Sequence, residues 1–532
     1  MARVLISDKL NDEGLKVLAE ARGLEVDHRP DLDPSTLRAI LPEYDGLIIR
    51  SGTKVTADLI SVASKLRVIG RAGIGVDNVD LPAATARGII VMNTPEGNTI
   101  TTAEHAISLM AALARRIPQA TASMKAGKWE KNKFNGQELY QQTLGVIGLG
   151  NIGAIVADRA RGLHMRVIAR DPLVSEERAQ RLGVELVSLD ELIERADIIT
   201  VHVPLTETTR GLIGAAQFAR MKKGVLIVNA ARGGIVDEAA LLAAIESGKV
   251  AGAALDVFES EPPPPDHPLL KRAEVIATPH LGAATSQAQL NVAIAVAEQV
   301  RDFLCNGIVR NAVNLPSITA EELPELKPYI RLGEKLGLFQ GQVCRGIREI
   351  EVEYAGLVAE LNVQSVTLAV LKGALEPWVG QRVNYVNAPT IAQQQGIRVI
   401  ESKVPRPADF VSCLTVRVRT GESQHSVAGT LFGGTQPRIV RVDDFALEAI
   451  PEGSALLIQN RDMPGVVGHV GTTLGRAGIN ISRMQLGLDP KSGAALQLLN
   501  VSPAPDRDVV RALQALEAVT GVQLLDLGEK VV

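Results

Sequence analysis

Three cysteines in 532 residues, Cys305, Cys344 and Cys413, are too few, too far apart and odd in number for a disulfide framework or a zinc site. That usage fits a reducing, cytoplasmic setting. A charge excess is also missing: 56 basic side chains against 60 acidic ones leave −4, with no long run of either sign. Nucleic acid and anionic membrane are therefore poor partners. No apolar run approaches the roughly 18 residues of a membrane span. Residues 1–9 read as a first strand rather than a signal peptide. Repeats and low-complexity tracts are absent apart from prolines 262–265, and no His/Asp spacing of metal-ligating type occurs.

What remains is α/β material. A hydrophobic content of 46% with 48 glycines suits alternating strands and helices, and at roughly 100–200 residues per domain the chain predicts three or four domains. Short apolar runs at 4–6, 24–26, 46–49, 68–70 and 89–92 predict buried strands between helical patterns. Thr101 and Glu104 have capping-box spacing and predict a helix opening at Thr101, and Ser188 with Glu191 predict another. Further strands are expected at 198–201, 225–228, 253–255 and 275–277, the cadence of a doubly wound parallel sheet. The helical stretch 287–304 can return the chain to its first region. A break follows at Asn314-Leu315-Pro316-Ser317. Residues 318–452 predict another unit, with a helix at 330–341 and strands at 349–354 and 414–419. After a turn at 450–453, residues 454–532 read β-α-β-β-α-β, a ferredoxin-like unit.

One stretch carries specific chemistry. Gly148-Leu149-Gly150-Asn151-Ile152-Gly153 follows an apolar strand, 143–147, and opens a helical pattern. The first glycine permits a tight turn, the second lets a pyrophosphate approach the backbone, and the third lets helix pack on strand. The helix N-terminus then faces the pyrophosphate charge. Asp171 closes the next strand, 18 residues past Gly153, where an acidic side chain grips a ribose 2′-hydroxyl. These features predict a dinucleotide cofactor, NAD. Arg170, just before it, is a cation able to accept a 2′-phosphate, but Asp171 repels that group, so NAD is expected over NADP.

Three later motifs sit where strands of such a sheet should end. Asn229-Ala230-Ala231-Arg232-Gly233-Gly234 offers an arginine for a carboxylate, with a solvated turn arginine as the alternative. Residues 255–262 hold an acidic cluster that includes Asp256 and Glu261. Thr278-Pro279-His280-Leu281-Gly282-Ala283 supplies a histidine that titrates near neutrality. Alone, His280 reads as structural; beside a carboxylate it becomes an acid/base for interconverting alcohol and ketone. His105 and His202 read as packed or hydrogen-bonded structural residues.

In this order the motifs resemble the D-isomer-specific 2-hydroxyacid dehydrogenase family over residues 1–315. The resemblance implies that Arg232, Glu261 and His280 are catalytic: the arginine binds and polarises the 2-oxo acid, the glutamate raises the basicity of the histidine, and the histidine shuttles the proton. It implies cofactor contacts at Ile74, Gly148, Gly150, Asn151, Ile152, Gly153, Asp171, Val203, Ala230, Ala231, Arg232, Asp256, His280, Leu281, Gly282 and Ala283. It also implies two Rossmann-like doubly wound lobes. Residues 1–98 plus 286–316 would bind substrate and 99–285 would bind NAD.

The remaining length narrows the branch. Residues 383–389, Val-Asn-Tyr-Val-Asn-Ala-Pro, resemble an α+β intervening domain (317–452) found in long-form members of that family. Residues 460–468 and 475–481 resemble an ACT domain (453–532), a ferredoxin-like βαββαβ amino-acid sensor. Asn460, Asp462 and Asn480 match effector positions; turn chemistry at a helix entry and exit is the alternative reading for Asp462 and Asn480. Arg50 and Ser51, after a strand, would read a phosphate, with a surface salt bridge as the alternative for Arg50. Gly73 and Asn78 lie in a glycine-rich turn whose amides suit a carboxylate. Lys131, in a basic aromatic loop near the family's dimer contact, would lend a cation to a neighbouring cleft. Together these imply NAD-dependent oxidation of 3-phosphoglycerate to 3-phosphohydroxypyruvate, the first step of the phosphorylated route to serine. Serine feedback and a homo-oligomer, a dimer of dimers, go with it. The alternatives are a sibling acting on glyoxylate, hydroxypyruvate or lactate, and a non-catalytic NAD-sensing protein.

Overall fold

Five strands, β1 (Ala2–Ile6), β2 (Leu24–His28), β3 (Gly46–Ile49), β4 (Val68–Arg71) and β5 (Ile90–Met92), pair in parallel in the order β2-β1-β3-β4-β5. Apart from the edge strand β2, their apolar runs are continuous rather than alternating, because helices cover both faces: Ile6 and Ile48 enter one core, Leu5 and Leu47 the other. One covering helix comes from far along the chain. Ser286–Asn306 lays Val292, Val296 and Val300 onto the first of these cores, so the chain returns to its start as expected. This computed structural model describes residues 1–316, 318, 322–405, 409–421, 423–489 and 492–528. Ser317, where the break and the intervening domain were expected to meet, lies outside them, as do residues 529–532 of the expected C-terminal domain.

The second sheet holds β6 (Thr143–Ile147), β7 (Arg166–Arg170), β8 (Glu185–Leu186), β9 (Ile198–Val201), β10 (Val225–Asn229), β11 (Val250–Leu255) and β12 (Val275–Ala277), all parallel. Its order, β12-β11-β10-β9-β6-β7-β8, reverses direction beside β6, and ligands bind such sheets in the crevice outside the strand ends at that switch point. The glycine turn leaves β6 there.

The two capping boxes fare differently. Ser188 and Glu191 form theirs, each side chain accepting the other's backbone N–H. The helix expected at Thr101 instead spans Thr99–Ala114, begun by Asn98 without a side-chain cap. One face of its first turn is buried, and the hydroxyls on that face bond to backbone carbonyls: Thr99 donates to Pro95 (2.8 Å), and Thr102 to Asn98 (3.0 Å) and Gly282 (2.9 Å). Thr101 is thus inside the helix rather than at its cap.

The third sheet is mixed. Strands β13 (Glu349–Gly356) and β14 (Arg398–Val404) are parallel. Strands β15 (Ser412–Arg419), β16 (Gln424–Phe432), β17 (Gln436–Val442) and β18 (Phe445–Ala449) continue antiparallel in the order β14-β13-β15-β16-β17-β18. Helices Leu323–Val343 and Gln364–Val379 pack backbone to backbone: a Cβ on Gly337 would lie 2.1 Å from the carbonyl oxygen of Val370. Gly337→Ala must push the helices apart, which outweighs alanine's helix preference and costs about 1–3 kcal/mol. A lower urea midpoint is expected; an unchanged or higher one would sink this account.

The last sheet holds β19 (Ser454–Arg461), β20 (Asn480–Asp489), β21 (Ala494–Ser502) and β22 (Val519–Asp526) in the antiparallel order β20-β21-β19-β22. Alternation along β19 feeds two cores. Leu456 and Ile458 meet Val470, Leu474 and Leu513 of the two local helices. Ala455 and Leu457, with Leu496, Leu498 and Leu525, join Leu336 and Phe339 of Leu323–Val343 in one core. Gln342 pins that helix to β22, donating to Asp526 O (2.8 Å) and accepting from Asp526 N–H (2.8 Å). The third unit also grips the first. Asn384 Nδ2 donates to Gly88 O (2.8 Å), and Val386 packs into the core of β1 and β3. Among the described residues no helix is long and apolar enough to cross a membrane.

Candidate active site

The glycine turn has the shape its spacing predicts. Gly148 has φ +93°, and a Cβ there would sit 2.5 Å from His202 O; a Cβ on Gly153 would sit 1.9 Å from Gly148 O. Gly150, by contrast, opens onto free space, leaving room for a diphosphate. Helix Asn151–Gly162 starts there without a side-chain cap, so its first amides remain for an anion. Asp171 is held at the mouth of this turn, accepting from Leu149 N–H (2.8 Å) and Leu173 N–H (2.9 Å). A Cβ on Gly148 would also sit 2.7 Å from Val203 Cγ1, and Ile152 packs half-buried while Asn151 is exposed. These residues fit a dinucleotide. His202 lies behind them; burial drops its ring to about 4, which keeps it neutral, and Nε2 lies 2.9 Å from Thr200 Oγ1.

The three strand-end motifs converge. Asn229 ties its turn shut, accepting from Ala231 N–H (3.1 Å) and donating to Arg232 O (2.9 Å). Gly233 abuts the next motif, where a Cβ would lie 1.9 Å from Phe258 O. Phe258 N–H in turn donates to Glu261 Oε1 (3.2 Å), and Glu261 Oε2 lies 2.7 Å from His280 Nδ1. Burial opposes ionisation of Glu261. The hydrogen bond and charge of His280, the Phe258 amide and the charge of Arg232 outweigh it and hold the carboxyl below its usual range. With Nδ1 engaged, Nε2 is the ring nitrogen left to exchange a proton with a substrate.

His280 itself has φ +54°, a conformation costing about 1–3 kcal/mol unless its surroundings impose it. Asp256 does the imposing. It is 1% exposed, and its carboxylate accepts from Thr278 Oγ1 (2.6 Å), Leu281 N–H (2.7 Å) and Gly282 N–H (2.8 Å), with His105 Nε2 at 3.1 Å. Burial again opposes its ionisation, and these donors prevail. Asp256 was expected to touch the cofactor; here its oxygens are spent on the turn that carries His280. Leu281 is 39% exposed, Gly282 buried and Ala283 half-buried.

Across the cleft, Arg232 Nε donates to Asp77 (2.7 Å) and Nη1 to Ala231 O (2.6 Å). Its Nη2 lies over Gly75, where a Cβ would be only 1.6 Å away, and Arg71 Nη1 covers Gly73 in the same way. Burial, with the charges of Arg232 and Arg50 nearby, depresses Arg71 to about 10, and its buried Nε has no hydrogen-bond partner among the described residues. The turn Gly73-Ile74-Gly75 is therefore flanked by two guanidinium groups. Gly73 N–H donates to Thr94 (2.7 Å), and Ile74 O accepts from Asn93 (2.6 Å).

Other expected residues are placed differently. Asn78 spends its amide on Arg50 O and Thr53 O (2.7 Å each), shaping the 50–53 loop rather than facing a ligand. Asp8 holds the same loop from below, accepting from Arg50 N–H (2.5 Å). Ser51 is exposed on it. Lys131 lies on an exposed turn, Lys131–Phe134, and among the described hydrogen bonds and ion pairs meets none of the cleft residues. Asn460 is 4% exposed, accepting from Gln497 (2.8 Å) and donating to Arg461 O (2.7 Å), so its side chain is closed to an effector. Asp462 and Asn480 are exposed, but at opposite ends of the sheet: Asp462 follows Arg461, paired with Ala494, and Asn480 pairs with Ser502. From sequence, Arg71 and Asp77 carried no role of their own and His105 read as structural. Arg71 ends a parallel strand, which was a usable signal; nothing local pairs Asp77 with Arg232.

Comparison with known proteins agrees with this geometry. Residues 107–282 match the model for "D-isomer specific 2-hydroxyacid dehydrogenase, NAD binding domain", 325–443 the "D-3-phosphoglycerate dehydrogenase intervening domain" and 454–518 the ACT domain. A D-3-phosphoglycerate dehydrogenase of Archaeoglobus fulgidus is 46% identical over 99% of this chain and 100% of its own length. That of Bacillus subtilis is 43% identical over the same shares. Among solved structures, D-lactate dehydrogenase of Aquifex aeolicus, complexed with NAD and lactic acid, superposes with TM-score 0.52 at 28% identity. It covers 59% of this chain and 100% of its own. The chain belongs to the D-3-phosphoglycerate dehydrogenases, the NAD-dependent 2-hydroxyacid dehydrogenases that carry an intervening and an ACT domain.

Proposed function

We propose that this protein oxidises 3-phosphoglycerate to 3-phosphohydroxypyruvate, with Arg232, Glu261 and His280 at the reacting centre. The observation that carries this reading is the 2.7 Å His280–Glu261 pair, with the charge of Arg232 near enough to help hold Glu261 ionised. His280 Nε2 takes the C2 hydroxyl proton as the C2–H bond gives up its hydride and the C–O bond becomes a carbonyl. Glu261 stabilises the imidazolium so formed. Arg232, its Nε fixed by Asp77, offers Nη2 to the substrate carboxylate and to the oxygen at C2. NAD, held by the glycine turn and Asp171, would supply the hydride acceptor, and Asp171 supports NAD over NADP, since a 2′-phosphate would meet its carboxylate.

Arg50 and Arg71 take the phosphate. The unpartnered Nε of Arg71 and the mutual repulsion of these cations both call for an anion. Residues 1–98 with 286–316 form the substrate lobe, 99–285 the NAD lobe, 317–452 the intervening domain and 453–532 the regulatory domain. The protein acts in the cytoplasm as a dimer of dimers, a reading supported by Ile117, Met124, Trp129 and Tyr140, exposed by 52–80% on the NAD lobe. Serine binds at the regulatory domain, where Asp462 and Asn480 require two copies to meet at one ligand.

The test is NADH oxidation with 3-phosphohydroxypyruvate against hydroxypyruvate, each with and without millimolar serine. Two charge-assisted contacts at about 1.5–3 kcal/mol each predict at least ~100-fold higher kcat/KM for the phosphorylated substrate. Equal use would remove the phosphate reading. A rate untouched by serine would remove the effector.

A further inference from the structure

The reading above leaves one ionisable side chain beside the reacting centre without a task. His105 lies within helix Thr99–Ala114, its side chain 19% exposed, with Nε2 3.1 Å from Asp256 Oδ1 and 3.4 Å from Thr278 Oγ1. Asp256 is a carboxylate removed from water, and its other three donors are a neutral hydroxyl and two backbone amides. A buried charge without a charged or strongly polar partner is costly, and among the described residues His105 is its only ionisable donor.

The carboxylate is also where the catalytic turn is anchored. Its oxygens hold the amides of Leu281 and Gly282, and its backbone carbonyl accepts His280 N–H at 3.0 Å. The residue so enclosed is the one whose φ of +54° the chain would not adopt unaided. Glu261 fixes the ring of His280 from one side, and the Asp256 anchor fixes its backbone from the other.

We infer that His105 is a positioning residue for this dehydrogenase: by donating Nε2–H to Asp256 it locks the turn 278–282, and thereby the direction in which His280 presents its proton-accepting nitrogen. It does not touch substrate. Its loss lets the turn relax while the arginines that bind substrate stay in place, so turnover suffers and substrate affinity does not.

This inference rests on the proposed activity, and the experiment separates the two. Wild-type enzyme is first assayed by NADH oxidation with 3-phosphohydroxypyruvate; no turnover there overturns the activity itself. Three variants follow. His105→Leu removes the donor, His105→Gln places an amide nitrogen where Nε2 stood, and His105→Asn falls one methylene short. The leucine and asparagine variants are expected to lose about tenfold to a hundredfold in kcat. KM should stay within about threefold, and glutamine should recover kcat to within about threefold of wild type. If leucine does not fold, glutamine against asparagine decides. Unchanged kcat in the asparagine variant, or glutamine no better than asparagine, overturns the inference. So does a loss that falls on thermal midpoint alone.

Discussion

His280→Gln lowers kcat by ~10²–10⁴-fold while NADH binding, followed by fluorescence titration, stays within a few-fold. That is the range a positioned acid/base supplies, and glutamine keeps much of the volume without a titratable nitrogen. The loss should appear in both directions of the reaction, because the same ring nitrogen takes the proton in oxidation and returns it in reduction. The Glu261 carboxylate, held ionised beside Nδ1, has then lost its partner and cannot substitute. A kcat within tenfold of wild type would remove His280 from proton transfer.

Arg232→Gln has the second largest effect. Each charge-assisted hydrogen bond that Arg232 offers the substrate is worth about 1.5–3 kcal/mol, roughly ten- to more than a hundredfold in kcat/KM. Here the loss has two sources: the substrate loses the Nη2 donors, and Asp77 is left as an anion without its guanidinium partner. Asp77→Asn in the glutamine background should therefore recover part of the activity. Arg232→Lys should not, because an ammonium cannot hold Asp77 through Nε while presenting two planar donors elsewhere. Near-wild-type kcat/KM in the lysine variant would show that a point charge suffices.

Much of this site was readable because each part is a local motif. A glycine turn after an apolar strand, then three polar motifs after three further strands, place their side chains on one edge whatever the rest of the chain does. Apolar runs marked the strands for the same reason: burial on both faces leaves little choice of residue. Local rules failed where contacts from elsewhere overrode them. Thr101 and Glu104 have the same spacing as Ser188 and Glu191, yet the helix already begins at Thr99, where the neighbouring Thr99 and Thr102 are buried and bonded to Pro95, Asn98 and Gly282. Asn78 and Asn460 have the chemistry of ligand residues, but neighbouring groups consume it. Arg71, Asp77 and His105 gain their meaning only from partners on other elements, Asp77 from an arginine 155 positions away.

Helix Leu323–Val343 serves as a wall for two sheets at once, and this determines how the C-terminal end of the chain can behave. A sheet that borrows half its core from the preceding unit has no separate melting transition; it opens with its lender as one cooperative block. Excised, it would present Leu457, Leu498 and Leu525 to water and aggregate. A block that cannot loosen internally can respond to a ligand only by swinging whole. Its other arm ends where Asn384 holds Gly88, on the lobe that carries Arg50 and Arg71. The third and fourth units thus form a single block, and its hold on the first lobe is at Gly88, at the end of that parallel sheet opposite Arg50 and Arg71.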